Sequence, residues 1–194
     1  DGGQHSGQQL ADSLGVTRSA VWKAVGLLQR LGMSIDAVTR RGYRLEQPAS
    51  ALDAERVYSL LPTEVRSRLR HGRAVWTLAS TNASLLTVDD LPPGGYDFLL
   101  AEFQSAGRGR RARPWFAPPG GGLCLSLSRQ FTSLPADFSA LSLAVGLAVR
   151  AALLRLRPLP IQLKWPNDVV VGDRKLGGIL LEMRAEAAGP AYVV

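Results

Sequence analysis

Apolar residues near the start of the chain recur at helical spacing. Leu10, Ala11 and Leu14 fall on one helical face. Ser6 stands where an N-cap is needed, and Gly15 stands where a helix stops. The pattern predicts a short first helix, and the residues in front of it, 1–5, have the composition of a loop.

A second helix is predicted from about Arg18 to Leu31. Thr17 can cap its start, and Gly32 follows its end. Its apolar face is formed by Val21, Val25, Leu28 and Leu31. Only a short turn separates this helix from the first, so the two form a helix-turn-helix pattern.

Two short β patterns, 35–38 and 43–45, then flank a basic hairpin tip at 39–42. This layout is that of a winged helix-turn-helix, whose second helix enters the DNA major groove. The predicted DNA-facing residues are Thr17, Arg18, Ser19, Trp22 and Lys23 on the helix, and Arg40 and Arg41 on the wing. A unit that only packs against protein is the alternative, since six basic and four acidic residues make 1–47 only mildly positive.

Beyond residues 47–50 the pattern changes to a mixture of strands and helices. Strand-like runs lie at 74–78, 98–103, 123–130, 161–165, 169–171 and 178–183, and helical patterns lie at 53–61, 81–89 and 141–156. Gly172 and Asp173 predict a hairpin turn between the last two strands. Strands placed around helices without strict alternation predict an α+β fold. We therefore expect a winged helix-turn-helix domain at 1–47 and a mixed-sheet domain at 48–194.

Charge and cysteine content narrow the functional classes. The net charge of +7 favours anionic partners such as nucleic acid or nucleotide. No apolar run approaches the ~18 residues that span a bilayer, and the start of the chain has no secretion signal. Cys124 is the single cysteine, which excludes an internal disulfide and suits a reducing cytoplasm. Its strand-like surroundings predict a small buried hydrophobe.

The densest chemical pattern is a glycine–arginine loop, 107–111, between two buried-looking strands. Glycines let a backbone approach a ligand closely, and arginines offer forked donors to phosphate oxygens. The pattern fits a phosphate-binding loop, but it lacks the Gly-Lys-Ser/Thr ending of a Walker loop. A flexible nucleic-acid contact or a solvated loop has the same composition. The position between two strands favours a ligand-binding loop.

Two further motifs are rich in polar groups. Lys164-Trp165-Pro166-Asn167-Asp168 ends a predicted strand, and Lys175 follows within Arg174–Gly178. Two of the chain's three lysines and a carboxylate can converge there on a charged ligand, although a solvated turn is the alternative. Ser80-Thr81-Asn82 lies at a strand-to-helix junction. These side chains can hydrogen-bond a polar ligand ring, or they can simply cap a helix.

In this order the three motifs resemble those of the biotin protein ligases. The winged helix-turn-helix in front of them is similar to that of the bifunctional subclass, which represses biotin synthesis genes. The resemblance implies that biotin and ATP give biotinyl-5′-adenylate and pyrophosphate. A lysine of the biotin carboxyl carrier domain of acetyl-CoA carboxylase then attacks the adenylate. It also implies operator DNA as a partner, and we expect a homodimer on DNA because helix-turn-helix proteins commonly read two half-sites.

The same resemblance implies roles for individual residues. The catalytic group is Arg110, Lys164, Lys175 and Asp168, and Asp168 would hold Mg²⁺ or prepare the incoming lysine. The biotin-binding group is Ser80, Thr81, Asn82, Gln104, Arg108, Gly109, Arg110, Lys175 and Gly178. Adenylate formation brings two anions together, so positioning and charge neutralisation are the main demands on these side chains.

Three alternatives stay open at this point. A lipoyl-type ligase shares the chemistry, but the glycine–arginine loop together with Lys164–Asp168 argues against it. A biotin-sensing regulator without ligase turnover would not need Lys164, Lys175 and Asp168 together. The third alternative is an enzyme whose winged helix-turn-helix domain no longer binds DNA. The bifunctional subclass carries one more helix before Ser6 and further domains after Val194, so we expect the first helix to be missing and the ligase domain to be incomplete.

Overall fold

The computed structural model describes residues 2–38, 41–88, 92, 94–133, 137–185 and 190–194. Arg40, predicted on the wing, lies outside these residues. The N-terminal unit consists of β1 (Gln4–His5), α1 (Gly7–Leu14), α2 (Arg18–Arg30), β2 (Ile35–Val38) and β3 (Gly42–Leu45). The predicted helix, turn, helix and hairpin are therefore confirmed.

Short-range hydrogen bonds explain where the two helices begin. The hydroxyl of Ser6 accepts from Gln9 N at 3.1 Å, and Gln9 Oε1 accepts from Ser6 N at 2.9 Å, which completes a capping box. Thr17 Oγ1 caps α2 by accepting from Ala20 N at 3.2 Å. Gly15 ends α1 with φ 63°, a conformation that glycine adopts without steric cost.

The loop expected at residues 1–5 is wrong at Gln4 and His5, which form β1. This strand pairs antiparallel with Arg44 and Tyr43, giving a sheet of order β1-β3-β2. Gly42 permits the close approach, because a Cβ on it would lie 2.1 Å from His5 O. Two residues carry no detectable β pattern of their own, so this strand depends on the partner that the hairpin supplies.

The second unit contains four helices and eight strands in the described part of the chain. Its helices are α3 (Ala54–Leu60), α4 (Thr63–Arg66), α5 (Thr81–Leu86) and α6 (Leu141–Leu156). Its strands are β4 (Leu69–Leu78), β5 (Tyr96–Gln104), β6 (Cys124–Phe131), β7 (Ile161–Lys164), β8 (Asp168–Val171), β9 (Arg174–Gly178), β10 (Met183–Ala185) and β11 (Ala191–Val193). Within the described ranges, no helix is both long and apolar enough to cross a membrane.

These strands form two sheets. The larger has the order β10-β11-β6-β5-β4, with β4 and β5 parallel and the other pairs antiparallel. The smaller is the antiparallel sheet β7-β8-β9. Helix α5 packs against β5 and β6, and α6 packs against β7 and β8. The mixed sheet with segregated helices confirms the predicted α+β class.

The core of the larger sheet combines apolar contacts with a buried ion pair. Leu85, Leu99, Tyr192 and Val194 form the central apolar cluster. Asp97 is 3% exposed, and its Oδ2 accepts from Arg70 Nη2 at 2.8 Å. Its Oδ1 also accepts from the backbone of β4. The carboxylate therefore joins the parallel strands β4 and β5 at the end opposite their carboxyl termini.

The strand expected at 178–183 is wrong. Arg174–Gly178 forms β9 after the predicted turn at Gly172, and β10 starts only at Met183. Residues 179–182 connect the smaller sheet to the larger one. Ile179 exchanges hydrogen bonds with Asn167, and Leu180 O accepts from Asn82 Nδ2 at 3.3 Å. The apolar residues of this segment therefore belong to a crossover and not to a strand.

Candidate functional site

Small polar side chains meet at the carboxyl ends of β4 and β5. The parallel register pairs Leu78 with Gln104, so α5 begins beside the end of β5. Gln104 Oε1 accepts from Thr81 N at 2.8 Å and from Thr81 Oγ1 at 3.0 Å. Ser126 of β6 donates to Thr81 Oγ1 at 2.7 Å and also bonds Asn82 Oδ1. Ser80, the cap of α5, is buried with them.

Asn82 connects this buried cluster to the glycine–arginine loop. Its Nδ2 donates to Glu182 Oε2 at 3.0 Å, and Glu182 Oε1 lies 2.8 Å from Arg108 Nη2. Ser80, Thr81, Asn82, Gln104 and Arg108, which were predicted from separate motifs, are therefore joined by contacts in one region. Their hydroxyl, amide and guanidinium groups can recognise a small polar ring.

The loop itself is a compact turn that only glycine permits at its start. A Cβ on Gly107 would lie 2.5 Å from Trp115 O, and Trp115 N donates to Gly107 O at 2.8 Å. Gly109 N donates to Arg113 O at 2.7 Å. Arg111 and Ala112 have φ angles of 57° and 56°, a region that non-glycine residues rarely occupy. The chain therefore folds back on itself between Gly107 and Trp115.

An open pocket of about 550 Å³ lies between this loop and the β8–β9 hairpin. Its lining is Gly109, Arg110, Arg111, Arg113, Pro114, Trp115, Trp165, Pro166, Asn167, Asp168 and Lys175. Lys175 Nζ is 2.6 Å from Asp168 Oδ1 and 5.3 Å from the centroid of the Trp115 ring. Arg110 Nη1 donates to Asn167 Oδ1 at 3.4 Å. Four arginine or lysine residues against one carboxylate make the lining suited to an anionic ligand.

Two predicted residues lie at the margin of this pocket. Lys164 pairs with Asp168 in the β7–β8 ladder and lines a small neighbouring cleft. Gly178 lies behind Lys175, since a Cβ on it would be 3.4 Å from Lys175 Nζ and 3.5 Å from the Trp115 ring. The pocket therefore gathers Gly109, Arg110, Asp168 and Lys175 directly, with Lys164 and Gly178 beside them.

Cys124 lies next to the buried cluster without taking a chemical role. It is 6% exposed, as predicted for a small buried hydrophobe. Burial raises the pKa of its thiol, a hydrogen bond with Gln104 lowers the pKa, and the charge of Glu102 raises it further. The group is therefore held as the neutral thiol, which is a poor nucleophile.

The predicted DNA-facing residues that the structure describes are individually exposed. Thr17, Arg18, Ser19, Trp22, Lys23 and Arg41 are all exposed. Trp22 is 67% exposed, which is unusual for a tryptophan that only stabilises a small domain. The N-terminal cap and first two turns of α2 thus present polar, basic and aromatic groups to solvent.

Comparison with known proteins assigns the second unit. A family model described as the biotin/lipoate A/B protein ligase family matches residues 72–193. The chain belongs to the biotin/lipoate A/B protein ligase family. A model described as an HTH domain matches residues 1–44 of this family member.

The chain is also similar to several named proteins. This biotin/lipoate ligase family member is 38% identical to the bifunctional ligase/repressor BirA of Salmonella typhimurium over 100% of its own length and 58% of that protein. It is 42% identical to the biotin–[acetyl-CoA-carboxylase] ligase of Mycobacterium tuberculosis, over 59% of this chain and 44% of that one. It is also similar to the Aquifex aeolicus biotin protein ligase in complex with biotin and ATP, with 28% identity, a TM-score of 0.48, and coverage of 64% and 50% of the two chains. The chain thus spans less than two thirds of these relatives.

Some residues of this site were given no role from sequence. Trp115 follows the glycine–arginine loop and Asn167 lies inside the Lys164–Asp168 motif, so both motifs pointed to this part of the pocket. Gly107 belongs to the expected ligand-binding loop, and its close packing against Trp115 O shows why glycine is needed there. Ser126 and Glu182 have no local signal, because their partners lie on other elements.

Proposed function

We propose that the protein is an ATP-dependent biotin protein ligase that also represses transcription. In the first step an oxygen of the biotin carboxylate attacks the α-phosphorus of ATP, and pyrophosphate leaves. In the second, the amine of a lysine on the biotin carboxyl carrier domain of acetyl-CoA carboxylase attacks the acyl carbon. AMP then leaves, and the amine loses a proton.

The observation that carries the proposal is the pairing of two differently built regions. One is the hydrogen-bonding cluster of buried Ser80 and Thr81 with half-buried Asn82 and Gln104, suited to a neutral polar ring. The other is the basic pocket with Arg110 and Lys175, suited to a carboxylate and a phosphate. Glu182 ties Arg108 to Asn82 of the first region, and Gly109, the next residue, lines the second. A biotin ring in the first region would direct its valeryl carboxylate toward the second.

Within this scheme the cationic side chains neutralise charge. Arg110 and Lys175 would hold the carboxylate and the α-phosphate while they react, and Lys164 would add a further charge from its place beside Asp168. Gly109 brings its backbone to the pocket wall, and Gly178 leaves room for the biotin tail beside Lys175. Trp115 and Trp165 offer ring faces to the same ligand.

Asp168 is the one carboxylate among the described pocket-lining residues. Mg²⁺ commonly takes one or two protein carboxylates and completes its shell with water and phosphate oxygens, so a single Asp fits a nucleotide-associated ion. The ion would therefore arrive with ATP, and Asp168 would hold it.

For the repressor activity we propose that 1–47 is the DNA-binding domain and 48–194 the ligase domain. Arg18 and Lys23, exposed in the first two turns of α2, support binding of operator DNA together with exposed Arg41 on the wing. A homodimer on DNA would present two such heads to two half-sites. Such a protein would act in the cytoplasm, where operator and carrier domain are both present.

The decisive experiment is release of labelled pyrophosphate from ATP by the full-length protein, with biotin, with lipoate and with neither. Biotin-dependent release is expected, and lipoate should be inert. Release with lipoate alone would establish the lipoyl-type alternative. Tight biotin binding without any release would overturn ligase activity and establish a sensor.

A further inference from the structure

The β8–β9 ladder of the smaller sheet contains an irregular step. Val170 of β8 pairs with Lys175 of β9. The preceding residue, Val169, pairs with Gly177 and not with Leu176. Leu176 therefore has no partner on β8 and is the extra residue of a β-bulge. Its side chain is 52% exposed, so burial does not explain its presence.

The bulge reverses the alternation of side chains that follow it on β9. Successive residues of a regular strand point to opposite faces, so a regular β9 would place Lys175 and Gly177 on one face and Gly178 on the other. The extra residue shifts the register by one, and Gly178 pairs with Asp168. Asp168 and Val170 lie on one face of β8 because they are two residues apart. Their partners, Gly178 and Lys175, therefore lie on that face too.

Contacts on both faces of the sheet agree with this shift. On one face, a Cβ on Gly178 would lie 3.4 Å from Nζ of Lys175, which lines the basic pocket. On the other face Ile179 packs on α6, since a Cβ on Gly146 would lie 3.4 Å from Ile179 Cδ1. A regular strand would turn Ile179 toward the pocket and Gly178 toward α6. The bulge thus keeps an apolar side chain in the core and a glycine at the pocket.

We propose that Leu176 is a positioning residue, because as the extra residue of this bulge it places Gly178 beside Lys175 on the pocket face. With no side chain at Gly178, space remains next to the ammonium group for the extended chain of a ligand. The site requires the inserted residue and not its particular side chain, since the effect comes from backbone register. The identity of the ligand rests on the function proposed above, whereas the register of the ladder does not.

Two added methyl groups test which glycine faces the pocket. Gly178→Ala should raise the KM for biotin in pyrophosphate exchange by roughly fivefold or more, the range for overpacking a filled site. Gly177→Ala is the matched control, because a Cβ there meets no atom within 4 Å apart from its chain neighbours. Its KM should stay within about twofold of the unaltered value. A raised KM in Gly177→Ala and a normal one in Gly178→Ala would overturn the proposal, since a regular ladder exchanges the two glycines.

Engineered cross-strand disulfides measure the register without any assay of activity. Asp168→Cys with Gly178→Cys places two thiols at directly opposite positions, where Cβ atoms lie about 4.5–5.5 Å apart. Mild oxidation of the full chain should link this pair. Asp168→Cys with Gly177→Cys, the opposite pair of a regular ladder, should stay reduced. Trypsin cleaves after Arg174 and Lys175, so only a disulfide holds the two peptides together. Faster linkage of the second pair would overturn the bulge.

Removing the extra residue tests its role in the site. Deletion of Leu176 should lower biotin-dependent pyrophosphate exchange by about a hundredfold, since a misplacement of about 1 Å in a site can cost that much. Leu176→Ala restores the residue count and should recover the KM for biotin to within about twofold. If Leu176→Ala is as inactive as the deletion, the side chain matters and the proposal is overturned. If the deletion variant does not fold, the two glycine variants decide.

The outcomes separate this proposal from the ligase assignment. Equal KM values in Gly177→Ala and Gly178→Ala, in a protein that adenylates biotin, would overturn the positioning role and keep the ligase. A disulfide between positions 168 and 178 in a protein that never adenylates biotin would support the shifted register and overturn the ligase.

Discussion

Lys175 Nζ and Asp168 Oδ1 lie 2.6 Å apart at the edge of the basic pocket. Their side chains are 44% and 26% exposed, so water screens the pair and its net stabilisation is small. The pair can therefore exchange partners readily when a stronger anion arrives. Asp168 thus pairs with Lys175, the lysine that the proposed reaction requires, and the pair must separate before Lys175 can hold a ligand.

Lys175→Gln should therefore abolish most adenylation and leave the fold intact. Loss of one charged donor at a reacting phosphate commonly costs about 10²–10³ in kcat, so a fall of that order is expected. Pyrophosphate exchange measures the rate, and thermal denaturation measures the fold. Arg174→Gln, the exposed neighbour on the same hairpin, is the control and should keep full activity. Comparable losses in both variants would contradict a specific role for Lys175.

Arg110→Ala should shorten the lifetime of the bound adenylate more than it lowers stability. Arg110 is exposed and makes one long contact, so its removal should cost less than about 1 kcal/mol of unfolding free energy. A charge-assisted contact to the adenylate contributes about 1.5–3 kcal/mol to its binding. Loss of this contact should therefore speed release of the adenylate by roughly tenfold or more. Filter retention of labelled adenylate checks the first quantity and denaturant unfolding the second. Normal retention in a destabilised variant would refute the prediction.

Ser126→Ala should destabilise the protein and weaken biotin binding together. Ser126 is 4% exposed and bonds both the Thr81 hydroxyl and Asn82 Oδ1, so its removal takes one hydrogen-bond partner from each. Such a loss costs about 1–3 kcal/mol, measurable by denaturant unfolding. Ser84→Ala, on the exposed side of α5, should be close to neutral. Equal effects of the two changes would show that the buried cluster contributes nothing particular.

Arg18→Ala and Arg41→Ala should each weaken DNA binding and lower its salt dependence. A lost phosphate contact reduces the slope of log K against log salt by about 1. Binding to operator fragments at several salt concentrations measures the slope. Arg30→Ala, at the end of α2 and away from its early residues, is the matched control. A slope that is the same for all three variants and the unaltered protein would remove these arginines from the DNA surface.

Local features of the chain could be predicted because their causes lie within a few residues. The caps Ser6 and Thr17 hydrogen-bond to residues three positions ahead, and the α6 range was predicted at Leu141–Leu156 as found. The glycine–arginine loop and the β8–β9 turn could likewise be predicted, because both need glycine for a local reason. Gly172 has a φ of 57°, and a Cβ on Gly107 would lie 2.5 Å from Trp115 O.

Site residues were recognised by type, but their arrangement was not. Arg108 and Lys175 were both expected to bind biotin. In the structure they have different partners, since Arg108 contacts Glu182 and Lys175 contacts Asp168. Nothing in the spacing of the motifs distinguishes these partners. The division into a buried cluster and an open basic pocket therefore emerged only with the two sheets in place.

The elements that sequence missed share one physical cause. The strand at Gln4–His5 exists because β3 offers a free edge, and residues 179–182 are a crossover because they pass between two sheets. Glu182 contacts Asn82 and Arg108 only because its backbone pairs with Val194 at the end of the β10–β11 ladder. Helix caps, turns and hydrophobic periodicity depend on residues that are close in sequence, so they could be predicted from the sequence. Pairings between distant segments depend on how the sheets assemble, which no local pattern encodes.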